Sequence, residues 1–555
     1  MPRPADFSPL FAPDEYSTEE RQRLAPFFTN LDQSVYAPLI FSPEVIGALC
    51  SRTSRAADDL RKIFLSEYIT PFLEDGSEYG KALQEFIEFL HRHPIEQIFS
   101  NPRARSFYAK WLAQYGDDSI AQMAGMHIVF SSLSLVSIVY LESQRIGLAP
   151  IEKSTRYVNY SAKVNRKYRY YVDPTLKDYG LEKEYRAAAD SLFDTYTSLL
   201  SPLQNYYVTR FPKEKPGVVE KKAFDTLRRI LPSSTLSQVA FFGNGQAFEY
   251  LVARTLKHPL GEVRWAGERA YEELFKIAPS FLRRVKDPEG AEVAGQYQEY
   301  LAGRGQRMVP FVAKTGRGPA ASLVRLLEYD RLGEEKVITG MLYAVPGNHA
   351  SWKDIFARVK KMSKKQKQQV LSAYLTGRDQ RWQKVGRAFE NAYVRFEITT
   401  NIGAFRDLHR HRMLTEQYQL FSCEHGYEVP QDVTDAGFED EYRGAVERME
   451  DVYAKIARKD AYLAQYATTL AHRMRFQQWK NLRECFWEME LRSTPEGHPD
   501  YRKIEQEKFK LLEKVYPLVA EHMRVNMGDY DFARRGQEEK IQAKLKELEK
   551  MNTRV

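Results

Sequence analysis

The sequence predicts an α+β protein made of two repeats, each a mixed sheet with packed helices and with helix in excess. Three observations predict it. A segment beginning at Gln144 and another at Arg410 correspond at a constant offset of 266 residues, the same distance that separates Ser154 from Leu420. Four stretches interleave charged and apolar residues at the three- and four-residue spacing of an amphipathic helix. Strand-like runs are fewer, and only three stand out.

The chain has 555 residues, enough for at least two substantial cores. Its 43% hydrophobic and 28% charged content is that of a globular protein rather than a disordered one. A net charge of +8, from 82 basic and 74 acidic residues, is a mild excess without a concentrated basic block. It suits an anionic small ligand and argues little for nucleic acid. Cys50, Cys423 and Cys485 are isolated thiols, which offer neither a disulfide framework nor a structural zinc site and point to a reducing cytosol. The opening MPRPADFSPLF lacks the continuous apolar run of a signal peptide. Ile128 to Tyr140, the most apolar stretch, is too short and serine-rich to span a bilayer. A cytoplasmic protein without a membrane partner is expected.

In chain order, helices are expected over Ala56 to Glu67, Tyr79 to His93, Glu182 to Leu200 and Gly444 to Leu470. Strands are expected over Ser134 to Leu141, Leu323 to Tyr329 and Tyr393 to Thr399. The glycine- and arginine-rich stretch from Gly303-Arg304-Gly305 to Gly316-Arg317-Gly318-Pro319 reads as the connection between repeats. No convincing strand precedes it and no Gly-Lys-Ser/Thr follows, so it does not read as a phosphate loop. Residues 1–300 are taken as repeat one with an N-terminal helical extension, 301–321 as linker, 322–535 as repeat two and 536–555 as a charged helical tail.

Arg410-His411-Arg412 is a basic tripeptide whose alternate guanidinium groups would point one way in extended structure. Alone, it also fits a surface basic cluster. Glu152, Ser154 and Arg156 alternate after Pro150, and would share one side of an extended segment or belong to a polar edge strand or loop. Asn481 and Arg492 are eleven residues apart, which puts them on one helix face about 16 Å apart. Glu488, four residues before Arg492, could instead pair with it as a surface ion pair. His409 and His411 lack a third ligand at metal spacing, so no metal site is expected.

These segments together resemble the flavin-dependent thymidylate synthases of the ThyX type. That family carries RHR, seven residues, a serine, one residue and Arg-Tyr in a single segment. Here RHRMLTEQYQLFS, from Arg410, keeps the first half and has Leu420 in the serine's place. QRIGLAPIEKSTRY, from Gln144, keeps Ser154 and Arg156 but has Gln144-Arg145-Ile146 instead of RHR. The family's upstream Gly-His-x-Ser/Thr-x-x-Glu-His segment matches Glu390, with Asn391 replacing its histidine; repeat one shows Gly116-Asp117-Asp118-Ser119, with Gln122 for the acid. Arg228-Arg229-Ile230-Leu231-Pro232 resembles the family's Ala-Arg-x-x-Leu-Pro, and Asn481, Arg483 and Arg492 match its Asn-x-Arg pair and uracil-facing arginine. Repeat one keeps Asn244 but has Gln246 in place of the arginine of the Asn-x-Arg pair. Asp407 and Trp487 depart from the family's usual glutamine and asparagine.

The resemblance implies two fused ThyX-like repeats, a composite site and a homodimer, or pseudo-tetramer of repeats. It implies conversion of dUMP to dTMP with FAD as cofactor and NADPH and methylenetetrahydrofolate as co-substrates. Glu152, Ser154, Arg156, Arg228, Arg410 and Arg492 would bind substrate, with Arg492 also catalytic. Glu390, Arg410, His411, Arg412, Asn481 and Arg483 would hold the flavin cofactor. Methylation of another pyrimidine nucleotide, or a catalytically silent nucleotide-binding relative, would retain the same framework.

Overall fold

The computed structural model describes residues 2–93, 101–108, 110, 118–144, 146–286, 291–312, 323–533, 535–536 and 543–547. Gly116-Asp117, Arg145, residues 313–322 of the glycine-rich stretch and most of the tail lie outside the described residues. The chain forms two compact units. Unit 1 takes Met1–Ser201, Leu227–Arg317 and Val429–Leu470, and unit 2 takes Pro202–Thr226, Gly318–Glu428 and Ala471–Val555.

Unit 1 holds an antiparallel sheet of β1 (Val35–Tyr36), β2 (Gly125–Ser134), β3 (Leu148–Glu152) and β4 (Leu236–Asn244), in the order β1-β2-β4-β3. Ser134 ends β2 and caps α1 (Leu135–Glu142), its Oγ accepting the Ser137 N–H at 3.1 Å. This helix replaces the strand expected from Ser134 to Leu141. Seven of its eight residues are buried, so its apolar run has no wet face from which to read a period. The serine cap was the available signal. Glu262, in α3 (Gly261–Ile277), fastens the junction: its carboxylate accepts from the Ser134 N–H at 2.7 Å, from Ser137 Oγ at 2.6 Å and from Tyr466 Oη at 2.8 Å. Between them in the chain, α2 (Gly245–Thr255) follows β4 directly.

The remaining expected helices of unit 1 differ mainly at their ends. The one expected from Ala56 begins at Leu60, because buried Asp59 caps it by accepting the Arg61 N–H at 3.0 Å, and it then widens into a π-helical turn over Phe64–Ile69. That segment anchors an aromatic cluster in which Phe64 meets Phe41 edge-on at 4.8 Å and Phe27 at 5.1 Å. Tyr79 to His93 is the helix Glu78–Arg92, and Glu182 begins a helix that extends to Arg210. The helix expected to reach Leu470 is Glu439–Ala457. It stops because Asp460 turns its carboxylate onto the N–H groups of Tyr462 and Leu463 and starts a new short turn. Gly303 and Gly305 sit inside the helix Ala291–Met308 rather than breaking it.

Unit 2 repeats the sheet order. β5 (Leu323–Tyr329), β6 (Tyr393–Asn401), β7 (Thr415–Tyr418) and β8 (Arg473–Asn481) are arranged β5-β6-β8-β7, all antiparallel. The strands expected at Leu323 and Tyr393 are β5 and β6. α4 (Ile402–Leu408) follows β6 as α1 follows β2, and α5 (Leu482–Arg492) follows β8 as α2 follows β4. α6 (Pro499–Val515) packs against β5, α4 and α5. The inward face of β8 reads Met474, Phe476, Gln478 and Lys480, so an apolar strand face turns polar as it nears α5. Lys480 is only 1% exposed, whereas the neighbouring Trp479 is 38% exposed. Among the described residues, no helix is long and apolar enough to cross a membrane.

Candidate functional site

The start of α5 is set by Asn481, whose Oδ1 accepts the Glu484 N–H at 2.9 Å. Asn244 caps α2 in the same way, through the Ala247 N–H at 2.8 Å, and both helices are eleven residues long. In unit 2 this cap aims the first turn of α5 into a cleft of about 440 Å3, and Arg492 lines the same cleft from the far end of the helix. The turn after α4 contributes Arg410, His411 and Arg412, and the short helix Arg387–Asn391 contributes Glu390. All seven repeat-two residues named from the sequence therefore line one cleft.

The structure adds residues that the sequence reading missed. Arg378, Arg381 and Lys384 also line the cleft, as do Glu484 and Phe486, beside Trp487, which the sequence had marked as a departure from the family. The cleft thus presents seven cationic side chains (Arg378, Arg381, Lys384, Arg410, Arg412, Arg483 and Arg492) against two carboxylates, Glu390 and Glu484. Such a wall attracts a polyanion. Arg378 is engaged with Glu490 at 2.6 Å and supports the wall. The Lys384 ammonium lies over the Trp487 ring. The spacing Arg378, Arg381, Lys384 was a visible signal, and Glu484 stands at the third helical position after Asn481, where a capping-box acid is expected.

Pairing inside the cleft is specific. Arg483 Nη1 donates to Glu390 Oε1 at 2.5 Å, and Arg387 Nε donates to the other oxygen at 3.3 Å. Burial alone would raise the Glu390 carboxyl, but these two guanidinium groups outweigh it and hold it below its usual range. Glu484 does not turn back on its helix cap. It accepts from His411 Nδ1 at 2.9 Å, while His411 Nε2 accepts from Arg492 Nε at 2.9 Å. Burial, and then the charges of Arg492, Lys480, Lys508 and Arg412, hold His411 well below its ordinary value, so the imidazole is neutral. Burial pushes the Glu484 carboxyl up to about 7.

The surface pair considered for Glu488 and Arg492 does not form, because Glu488 is fully buried. Its carboxylate contacts Lys480 on one oxygen and the Lys508 ammonium on the other, the latter at 3.2 Å. Lys508 also donates to Glu505 at 2.7 Å and to Gln478 at 2.8 Å. Two lysines and two glutamates thus form a buried ionic box between β8, α5 and α6. Asp407 is 8% exposed and is not among the residues lining the cleft.

The four repeat-one residues belong to unit 1. Glu152 ends β3 and is buried; Arg156 and Arg228 are 7% and 2% exposed. The extended segment expected through Arg156 stops at Glu152. Ser154 bends the chain instead, its Oγ accepting the Arg156 N–H at 3.2 Å and its carbonyl accepting the Tyr157 N–H at 3.2 Å. The bend is tied to the N-terminal extension: the Ser154 N–H donates to the Ser54 carbonyl at 2.9 Å. Lys153, also missed by the sequence reading, donates to the carbonyls of Ala57 and Asp58 at 2.8 and 3.0 Å. Burial pushes that ammonium down to about 8.

The chain matches the family described as Thymidylate synthase complementing protein over residues 79–280 and again over 325–518. The first match takes in β2, β3 and β4, with β1 lying before it, and the second takes in β6, β7, β8 and most of β5. The chain is similar to a UPF0159 protein of Chlamydia muridarum, at 33% identity over 95% of this chain and 99% of the relative. It is similar to a flavin-dependent thymidylate synthase of a Mycobacterium species, at 27% identity over 40% of this chain and 87% of that enzyme. Among solved structures, a UMP/dUMP methylase from Streptomyces cacaoi covers 37% of this chain and 94% of its own, at 13% identity and a TM-score of 0.28.

Proposed function

Because the chain belongs to the Thymidylate synthase complementing protein family, with matches to both of its repeats, we propose that it is a flavin-dependent methylase of pyrimidine nucleotides that converts dUMP to dTMP. Methylenetetrahydrofolate is the carbon donor and NADPH the reductant of FAD. The observation that carries this reading is the unit 2 cleft, whose seven cations and two carboxylates suit a dinucleotide pyrophosphate. Its volume lies within the range of small-molecule sites.

Arg410, Arg412 and Arg483 hold the FAD phosphates, with Glu390 fixing the Arg483 fork and Asn481 setting the helix that carries it. His411 positions its neighbours rather than moving a proton, since the buried imidazole stays neutral between Glu484 and Arg492. Arg410 and Arg492 reach the nucleotide, and Arg492 stabilises negative charge on the uracil ring so that C5 becomes nucleophilic. In unit 1, Arg156 and Arg228 neutralise the nucleotide phosphate, with Glu152 and Ser154 shaping the loop. The flavin, when bound, supplies the hydride that completes the methyl group.

Two measurements test the reading. The purified chain is expected to bind FAD, with its yellow absorption band, and to release tritium from dUMP labelled at C5 in the presence of the folate and NADPH. Arg492→Ala is expected to lower that release by about 100-fold or more, the usual cost of removing one fixed charge-stabilising donor. A chain that binds FAD but releases no tritium from dUMP overturns the substrate assignment, and one that binds no flavin overturns the reading altogether.

A further inference from the structure

Three groups in the cleft form a continuous relay whose proton positions follow from chemistry alone. Arg492 Nε always carries a hydrogen, because a guanidinium does not lose its proton in proteins. It lies 2.9 Å from His411 Nε2, which must therefore be the acceptor. The imidazole is neutral, for burial and four surrounding cations disfavour a second proton. Its single hydrogen is then on Nδ1 and needs an acceptor, which is Glu484 Oε1 at 2.9 Å. Among the described residues the Arg492 side chain makes no other hydrogen bond, and its guanidinium lies over the Tyr501 ring at 5.6 Å.

We propose that Glu484 is a positioning residue for Arg492: by accepting the Nδ1 proton of His411 it makes the imidazole an acceptor, which holds the guanidinium by Nε and leaves both Nη groups for an anionic ligand in the cleft. The helix reinforces this arrangement. Glu484 lies in the first turn of α5, with its N–H fixed by Asn481, and Arg492 closes the last turn, so one rigid element carries both ends of the relay.

The relay works only while Glu484 is an acceptor. A protonated Glu484 gains a hydroxyl donor but keeps a carbonyl oxygen that accepts from Nδ1, as an amide oxygen would, so protonation weakens the relay without reversing it. The charged groups around Glu484 come from every side: His411 from the turn after α4, Lys480 from β8, Lys384 from the cleft wall, and Lys508 and Glu505 from α6. Burial raises the carboxyl to about 7 against the pull of the three lysines, so its charge, though not its acceptor oxygen, is lost as pH falls through that region.

The link from Arg492 to a ligand rests on the proposed function, but the relay itself does not, and the experiment separates the two. In ligand-free full-length protein labelled with 15N at histidine, and with His411→Asn used to assign the signal, His411 is expected to be the neutral Nδ1–H tautomer at about pH 8. Glu484→Gln, which keeps an acceptor oxygen, is expected to retain that tautomer, and Glu484→Leu to shift it to Nε2–H. In parallel, dUMP binding to the FAD-loaded chain is expected to weaken by about tenfold in Glu484→Leu and to stay within about threefold in Glu484→Gln.

Should Glu484→Leu fail to fold, the wild type alone decides: its His411 signal is expected to stay in the neutral Nδ1–H form from about pH 8 to about pH 6. An Nε2–H tautomer in the wild type, or an unchanged tautomer in Glu484→Leu, overturns the proposal. A wild-type chain that takes up neither FAD nor dUMP defeats the functional reading instead, and the tautomer measurements still decide the relay.

Discussion

Replacing Lys508 with methionine is expected to be among the most damaging single changes available in unit 2. The ammonium is fully buried and donates to Glu505 at 2.7 Å, Gln478 at 2.8 Å and Glu488 at 3.2 Å. Methionine keeps the length and the apolar stem, so the loss is almost purely the charge. Lys480 remains and can neutralise one carboxylate, which leaves one excess negative charge sealed from water. Breaking one side of a buried pair in this way costs about 3–5 kcal/mol, and Lys508→Met is assigned about 4 kcal/mol on that basis.

The assay is urea unfolding of the full chain followed by tryptophan fluorescence, since Trp352, Trp382, Trp479 and Trp487, four of the six tryptophans, belong to unit 2. Adding Glu505→Leu to Lys508→Met removes the orphaned charge and is expected to recover about 1 kcal/mol or more, measured as a coupling energy in a double-mutant cycle. A cost below about 1 kcal/mol for Lys508→Met, or a double mutant whose losses simply add, would show that the box is hydrated and that its charges are not coupled as the geometry requires.

Two further outcomes are expected. Asn481→Ala removes the cap of α5 and is expected to cost about 1 kcal/mol, read as a lower unfolding midpoint for unit 2. His258 in unit 1 is held down to about 3 by burial and then by Arg254 and Arg264, and its Nδ1 accepts the Leu260 N–H at 3.1 Å. A depressed folded pKa contributes stability that is complete above the unfolded value of 6.5 and is lost as pH falls towards 3. The largest possible effect is about 5 kcal/mol, at about 1.4 kcal/mol per unit. His258→Gln is expected to flatten that acid limb in pH-dependent urea titrations, and an equally steep limb in the variant refutes the assignment.

The cleft was legible in the sequence to the extent that its residues sit next to chain features with strong local signals. Asn481 and Arg492 were expected along one helix and lie at its two ends, Asn481 as its cap, and the basic tripeptide follows a short helix whose end places it at the same opening. Partners that depend on tertiary approach were not legible. Nothing near Glu484 in the chain indicates that it meets His411 rather than its own helix cap. Glu488 was expected at the surface, and nothing in the sequence marks Lys480, Glu505 or Lys508 as buried, because sequence does not distinguish a buried charge from an exposed one. β8 shows this most sharply, with Trp479 half out of the fold and Lys480 wholly inside it. In unit 1 the error ran the other way: the buried helix after Ser134 had no polar face, so its apolar run read as a strand.

The matching asparagine caps of α2 and α5 carry a consequence for how a duplicated chain diverges. Each asparagine fixes where its helix begins through a bond to the main chain, independent of whatever occupies the next positions. Two residues on, one copy has Gln246 and the other Arg483, yet both helices keep the same length and follow their strands directly. Chemical change two residues on can therefore proceed without moving the helix, because each cap bonds the main chain and not the side chain at that position.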